Sequence, residues 1–76
     1  MARFAIQHEP TKRWLIEDEG GVFLWKTDNF LMTYKTRKMA QEAFDDHYKF
    51  YCTTIEDNIV TESGIFPFKE FIIVKV

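Results

Sequence analysis

Four residues, Asp18-Glu19-Gly20-Gly21, constrain this chain more than any other feature. Residues 13–17 before them and 22–26 after them are apolar runs of strand length, each with a charged residue at its outer end. Paired glycines supply the positive φ that tight hairpins need, so the flanking segments are predicted to fold back on each other as antiparallel strands. Counting outward from the turn puts Trp14 and Trp25 on one face or on a diagonal. Residues 3–8 have strand spacing, with Phe4, Ile6 and His8 on one side and Ala5 and Gln7 on the other. Glu9-Pro10-Thr11-Lys12 lies between as a turn, because Pro10 lacks a ladder donor and restricts Glu9. These three segments predict an antiparallel meander.

Past the meander the period changes. Asp28 or Asn29 caps a short turn through Phe30, Leu31 and Met32, or that stretch stays irregular. Thr36 is the predicted N-cap of the main helix. Ala40, Ala43, Phe44, His47 and Tyr51 fall on a single helical face, which puts Tyr48 and Phe50 toward the flanks. Arg37 and Lys38 occupy the first turn, where cations oppose the helix dipole, which points to another task for them. The helix exit is placed at Thr53-Thr54 and Glu56-Asp57-Asn58. A short strand follows at Ile59-Val60, a turn at Glu62-Ser63-Gly64 and a break at Pro67. Residues 71–76 are apolar apart from Lys75 and read as a strand buried on both faces, central in the sheet. The expected fold is α+β: a small antiparallel sheet, made of the meander and a C-terminal strand, with one main helix on one face, in the order β-β-β-α-β.

A chain of 76 residues holds one domain, residues 1–76. Leucine occurs only at Leu15, Leu24 and Leu31, against eight Phe, three Tyr and two Trp, so the core must be built from rings and β-branched residues. Cys52 is the one cysteine, which excludes an internal disulfide and a zinc knuckle and leaves a homodimer as the remaining staple. A net charge of −2 and a pI near 5.6 argue against a general nucleic-acid or membrane-surface binder. No apolar run suits a bilayer and the first residues carry no signal-peptide core, so a reducing cytoplasm is the expected setting.

Candidate chemistry is sparse. In Phe44-Asp45-Asp46-His47-Tyr48 the adjacent Asp46 and His47 point apart, which suits a structural histidine better than a metal ligand; His8 with Glu9 offers no visible completion of such a site. Cys52 lies more than a turn from His47 and no oxyanion loop accompanies it, so it reads as a small apolar residue. Gly20-Gly21 lacks the lysine and helix of a phosphate loop. Glu17-Asp18-Glu19 is a solvated turn or, alternatively, an acidic knob. No catalytic residue, metal ligand or cofactor is assigned, and the expectation is a protein that is not an enzyme.

Charge is polarised along the chain. Lys26, Lys35, Arg37 and Lys38 face only Asp28 nearby, whereas Glu42, Asp45, Asp46, Glu56, Asp57 and Glu62 face Lys49 alone. Trp25 and Tyr34 interleave with the basic residues. Basic residues beside rings suit single-stranded nucleic acid, but they equally suit protein docking, where charge steers and an aromatic anchors. A single helix covers one sheet face only. If Trp14, Phe23 or Phe68 lies on the other, an apolar patch of interface type is exposed; residues 53–67 folded over it would hide it. The candidate partner-binding residues are therefore Trp14, Trp25, Lys26, Tyr34, Lys35, Arg37 and Lys38.

Trp25, Thr27 and Asp28, then Tyr34, Lys35, Thr36, Ala40 and Ala43, and the closing Val74-Lys75-Val76 form a pattern with the glycine hairpin. It resembles that of a loose set of small tailed-bacteriophage accessory proteins. The resemblance spans most of the chain and implies a viral protein made in the host cytoplasm that binds one bacterial protein and inhibits or modulates it. The alternatives from the residues themselves are a small RNA- or single-stranded-DNA-binding protein and a structural homodimer paired through an edge strand.

Overall fold

The structure is a computed structural model and describes residues 2–27, 31–50 and 54–76. Strands β1 (Phe4–His8), β2 (Arg13–Asp18) and β3 (Gly21–Trp25) form the meander. A helix α1 (Arg37–Glu42) continues as a π-helical segment, Ala43–Tyr48. Three short strands follow, β4 (Thr54–Ile55), β5 (Asn58–Thr61) and β6 (Gly64–Pro67), then a 3₁₀ turn, Phe68–Glu70, and β7 (Phe71–Lys75). The fold is α+β, with a four-stranded antiparallel sheet ordered β3-β2-β1-β7 and a second sheet ordered β4-β5-β6.

The hairpin forms where the glycines direct it. Asp18 pairs with Gly21, Gly21 takes φ 126°, and the Asp18 carboxylate accepts the Gly20 N–H at 2.7 Å. Gly21 also lies against the Glu62 carboxylate, where a Cβ would come within 3.3 Å of Oε1. Pairing of β2 with β1 is brief: Gln7↔Trp14 and His8↔Arg13. Farther along, Tyr34 exchanges both backbone hydrogen bonds with Phe4, at 2.8 and 2.9 Å, and the Met32 sulfur accepts the Glu17 N–H at 3.2 Å. The 31–34 segment thus supplies polar partners for backbone groups where β1 and β2 diverge, as buried backbone requires.

Register assigns every side chain a face. Successive residues alternate and directly paired residues share a side. Ile6, His8, Leu15, Val22, Leu24, Phe71 and Ile73 point one way, and Ala5, Gln7, Trp14, Ile16, Phe23, Trp25, Ile72 and Val74 the other. The core lies on the first side, where Ile6, Leu15, Val22 and Leu24 pack with Phe44, Tyr48 and Ile59.

Three sequence expectations are corrected here. The segment at 71–76 is not central: β7 is the outer strand beside β1. Both its faces are apolar because one meets the core and the other continues the Trp-bearing side. The helical stripe is shifted as well. Tyr48 is inward, 1% exposed, while the His47 side chain is 45% exposed. The buried positions are Ala40, Phe44 and Tyr48, which recur every fourth residue and so share one face, and the Lys49 N–H closes a wider turn onto the Phe44 carbonyl, five residues back. The region of the expected helix exit is instead a hairpin. Thr54-Ile55 is a strand, and Glu56 and Asp57 turn the chain at φ 42° and 39°. Asn58 Nδ2 donates to the Ile55 and Glu56 carbonyls at 3.0 and 3.3 Å and braces that turn. The readings of Asp28, Asn29, Phe30, Tyr51, Cys52 and Thr53 lie outside the described residues.

Candidate functional site

Trp14 and Trp25 are direct cross-strand partners, so they stand side by side on one sheet face. Phe23 meets Trp25 edge-on, ring centroids 6.5 Å apart at 85°. All three rings are half-buried, as are Ile72 and Val74 on the same face, while Ala5 and Ile16 there are fully buried. The helix lies on the opposite side, where Phe44 stacks on Phe71 at 5.5 Å. The second sheet lies there too. Ile59 belongs to the core, Phe66 meets His8 at 4.6 Å, and the Glu62 N–H closes onto the Val22 carbonyl at 2.8 Å. Residues 54–67 therefore do not fold over the Trp14–Trp25 face. Phe68 belongs to the core side, edge-on to Phe44 at 6.1 Å.

The basic residues divide into two groups. Trp25, followed by the exposed Lys26, ends β3 opposite Trp14 and hence at the Gln7 end of β1. Tyr34 pairs with Phe4 at the other end of β1. Two strand spacings and three residues of rise separate these points by about 14 Å of backbone. Lys35 and Lys38 are exposed on the Tyr34 side. Arg37 is committed: its guanidinium lies 5.1 Å over the Phe4 ring and donates to the Ile73 carbonyl at 2.9 Å. Lys26 on one hand and Lys35 and Lys38 on the other thus stand at two separate places on the sheet.

Tyr34 turns inward and packs on the core. Burial raises its phenol above the usual value of 10.0, opposed by a hydrogen bond with Tyr48 and assisted by the Glu17 carboxylate. The folded state thus holds this proton more tightly than the unfolded chain does. The resulting stability is full below about pH 10 and is lost as pH rises through the folded pKa. Wild-type melting temperature should therefore fall more steeply above pH 10 than that of Tyr34→Phe; identical alkaline limbs in thermal melts would refute this.

Sequence reading missed both histidine contacts. His47 Nε2 lies 2.6 Å from Glu17 Oε1, so one carboxylate of the hairpin tip braces the helix. His8, 2% exposed, contacts Thr11 Oγ1 through Nδ1 and Glu70 Oε1 through Nε2, both at 2.8 Å. Hydroxyl, imidazole and carboxylate in series have the order of a nucleophilic triad. Here the imidazole is enclosed between Phe66 and Phe71, at 4.6 and 5.1 Å, and its two nitrogens tie the first turn to the 3₁₀ segment. The series is a brace. Among the described residues no group of three or more His, Cys, Asp or Glu side chains could hold a metal ion, and no helix is long and apolar enough to cross a membrane.

A groove of about 700 Å³ opens on the core side between the helix, β7 and the second sheet. Phe44, Phe68 and Phe71 contribute rings to its lining, and Lys49 Nζ sits 5.3 and 5.2 Å from the first two centroids while pairing with Asp45 at 3.2 Å. Nothing matches this chain in comparisons with protein-family models, curated proteins and solved structures.

Proposed function

We propose that this protein is a non-enzymatic binding module that docks a bacterial host protein on its Trp14–Trp25 face and inhibits or modulates it, as a bacteriophage accessory protein would in the host cytoplasm. The observation that carries the docking surface is the Trp14↔Trp25 pair with Phe23 beside it, on a sheet face that neither the helix nor the second sheet covers. Aromatic rings held rigidly by a sheet are the usual anchors of protein interfaces. Lys26 at the rim adds charge steering. Partner identity and viral origin rest on the sequence pattern of the hairpin and helix start.

The nucleic-acid reading is weaker on this geometry. Stacking rings and phosphate-holding cations must line one path, and here Lys35 and Lys38 stand at the far corner from the Trp pair. The test is capture from bacterial lysate by tagged wild type and by two variants, Trp14→Ser and Lys35→Glu with Lys38→Glu, each with and without nuclease. Circular dichroism checks that both variants fold. A stoichiometric protein that survives nuclease and high salt, is lost with Trp14→Ser and is kept by the lysine variant supports the docking face. Capture that collapses with nuclease, or with salt in the steep manner of phosphate binding, overturns it.

A further inference from the structure

The outer edge of β7 is open to pairing in a way that the outer edge of β3 is not. The ladder between β1 and β7 includes Glu9 N–H to Glu70 carbonyl at 2.9 Å and Val76 N–H to Arg3 carbonyl at 2.8 Å. Bonded and non-bonded pairs alternate along an antiparallel ladder. The backbone groups of Ile72 and Val74 therefore point to β1, and those of Phe71, Ile73 and Lys75 point away from it. The Phe71 N–H is satisfied by the Phe68 carbonyl within the 3₁₀ turn. Ile73 N–H, Phe71 carbonyl and both groups of Lys75 look outward, and among the described residues no strand lies beyond them. By contrast, the β3 edge is met by the second sheet through Glu62 and Val22.

Phe-Ile-Ile-Val-Lys, without proline, is the kind of edge that natural sheets protect with charge. Here the charge is Arg37. Its guanidinium takes the Ile73 carbonyl at 2.9 Å, which accounts for a cation placed against the dipole of its own helix. The covered atom is also the one that matters most for self-pairing. An antiparallel pair of β7 strands centred on Ile73 joins each Ile73 N–H to the other Ile73 carbonyl. It sets Ile72 against Val74 and Phe71 against Lys75, with no like charges opposite. The register is self-complementary, as a two-fold interface must be.

We propose that β7 is a homotypic docking edge gated by Arg37: a second copy of this chain pairs antiparallel through Ile73 once the guanidinium releases the Ile73 carbonyl. The two four-stranded sheets become one continuous sheet, and Arg37 stays over its own Phe4 ring. The Trp14–Trp25 pair lies on β2 and β3, away from this edge, so the inference stands independently of the partner-binding reading.

Sedimentation equilibrium from micromolar to millimolar protein, with amide hydrogen exchange at the same concentrations, tests it. Arg37→Ala removes a charge-assisted bond that competes with pairing, so its dimer constant should tighten by about tenfold or more over wild type. Lys75→Pro, which deletes an outward N–H and none that faces β1, should return the Arg37→Ala chain to monomer. In wild type, the Ile73 and Lys75 amides should gain protection as concentration rises. Arg37→Ala that stays monomeric throughout overturns the proposal. So does a dimer that survives Lys75→Pro or leaves those two amides unprotected, because the copies would then meet elsewhere.

Discussion

Tyr48→Ala should cost about 3–5 kcal/mol, the usual loss when a large buried ring is removed and its cavity stays open. A chain of 76 residues has a stability on the order of 4–11 kcal/mol, so this variant stands at the edge of unfolding. Tyr48 is 1% exposed, tilts against Phe44 at 6.3 Å, and carries its hydroxyl to the Met32 sulfur at 3.7 Å. It therefore joins the helix to the segment wedged between β1 and β2. His47→Ala is the matched control. Its side chain is 45% exposed and its contact is with Glu17, a half-exposed carboxylate, so less than about 1 kcal/mol should be lost. Urea unfolding followed by circular dichroism gives both numbers. Equal losses for the two variants, or a costlier loss at His47, would refute the inward placing of Tyr48.

The same pair of residues shows where sequence reading succeeds and fails. Thr36 is legible as a cap because its hydroxyl needs only a local partner, and it accepts the Met39 N–H at 3.0 Å. Phe44 is legible from a period of 3.6. Tyr48 fits the same period, four residues on, but a stripe drawn through His47 and Tyr51 sets it on the flank. The glycine hairpin and its Trp pair follow from the turn and from counting outward along its two strands. The hairpin at Glu56-Asp57 does not, because both residues take positive φ without the Gly or Asn that would announce it. Glu56 and Asp57 hold that shape through contacts made elsewhere: Asn58 on the turn carbonyls and Phe68 N–H on the Asp57 carbonyl at 2.8 Å.

Burial on both sides explains the other misreading. A strand apolar on both faces reads as central, yet β7 is an edge whose second face continues the row that carries Trp14, Ile16 and Phe23. That continuity is informative in itself. The chain uses rings for the core and still lines the far face with Trp14, Phe23, Trp25, Ile72 and Val74, all half-buried, around the fully buried Ala5 and Ile16. The candidate site was half legible for the same reason. Pairing of Trp14 with Trp25 follows from the turn, whereas the separation of Lys26 from Lys35 and Lys38 depends on the long-range pairing of Tyr34 with Phe4. Arg37 was legible only as an anomaly. Its partner, the Ile73 carbonyl, lies thirty-six positions away in the chain.

The second large effect expected is on Ile59, and it tests whether the two sheets form one cooperative unit. Ile59 is fully buried and packs with Ile6, Leu15 and Leu24 of the first sheet. Truncation to alanine should cost about 2–5 kcal/mol. Trp14 and Trp25 sit on the far face of the first sheet, so their fluorescence reports that sheet alone, while circular dichroism reports the whole chain. If β4, β5 and β6 were an appendage, Ile59→Ala would shift the dichroism transition and leave the fluorescence midpoint in place. Contact through Ile59, the Glu62–Val22 hydrogen bond and the Phe66–His8 ring pair argues for the other result. Both probes should move together by the same free energy, with a single transition at each. Coincident shifts would also show that the sheet carrying the Trp14–Trp25 pair is braced from behind by the second sheet, so that the two cannot unfold separately.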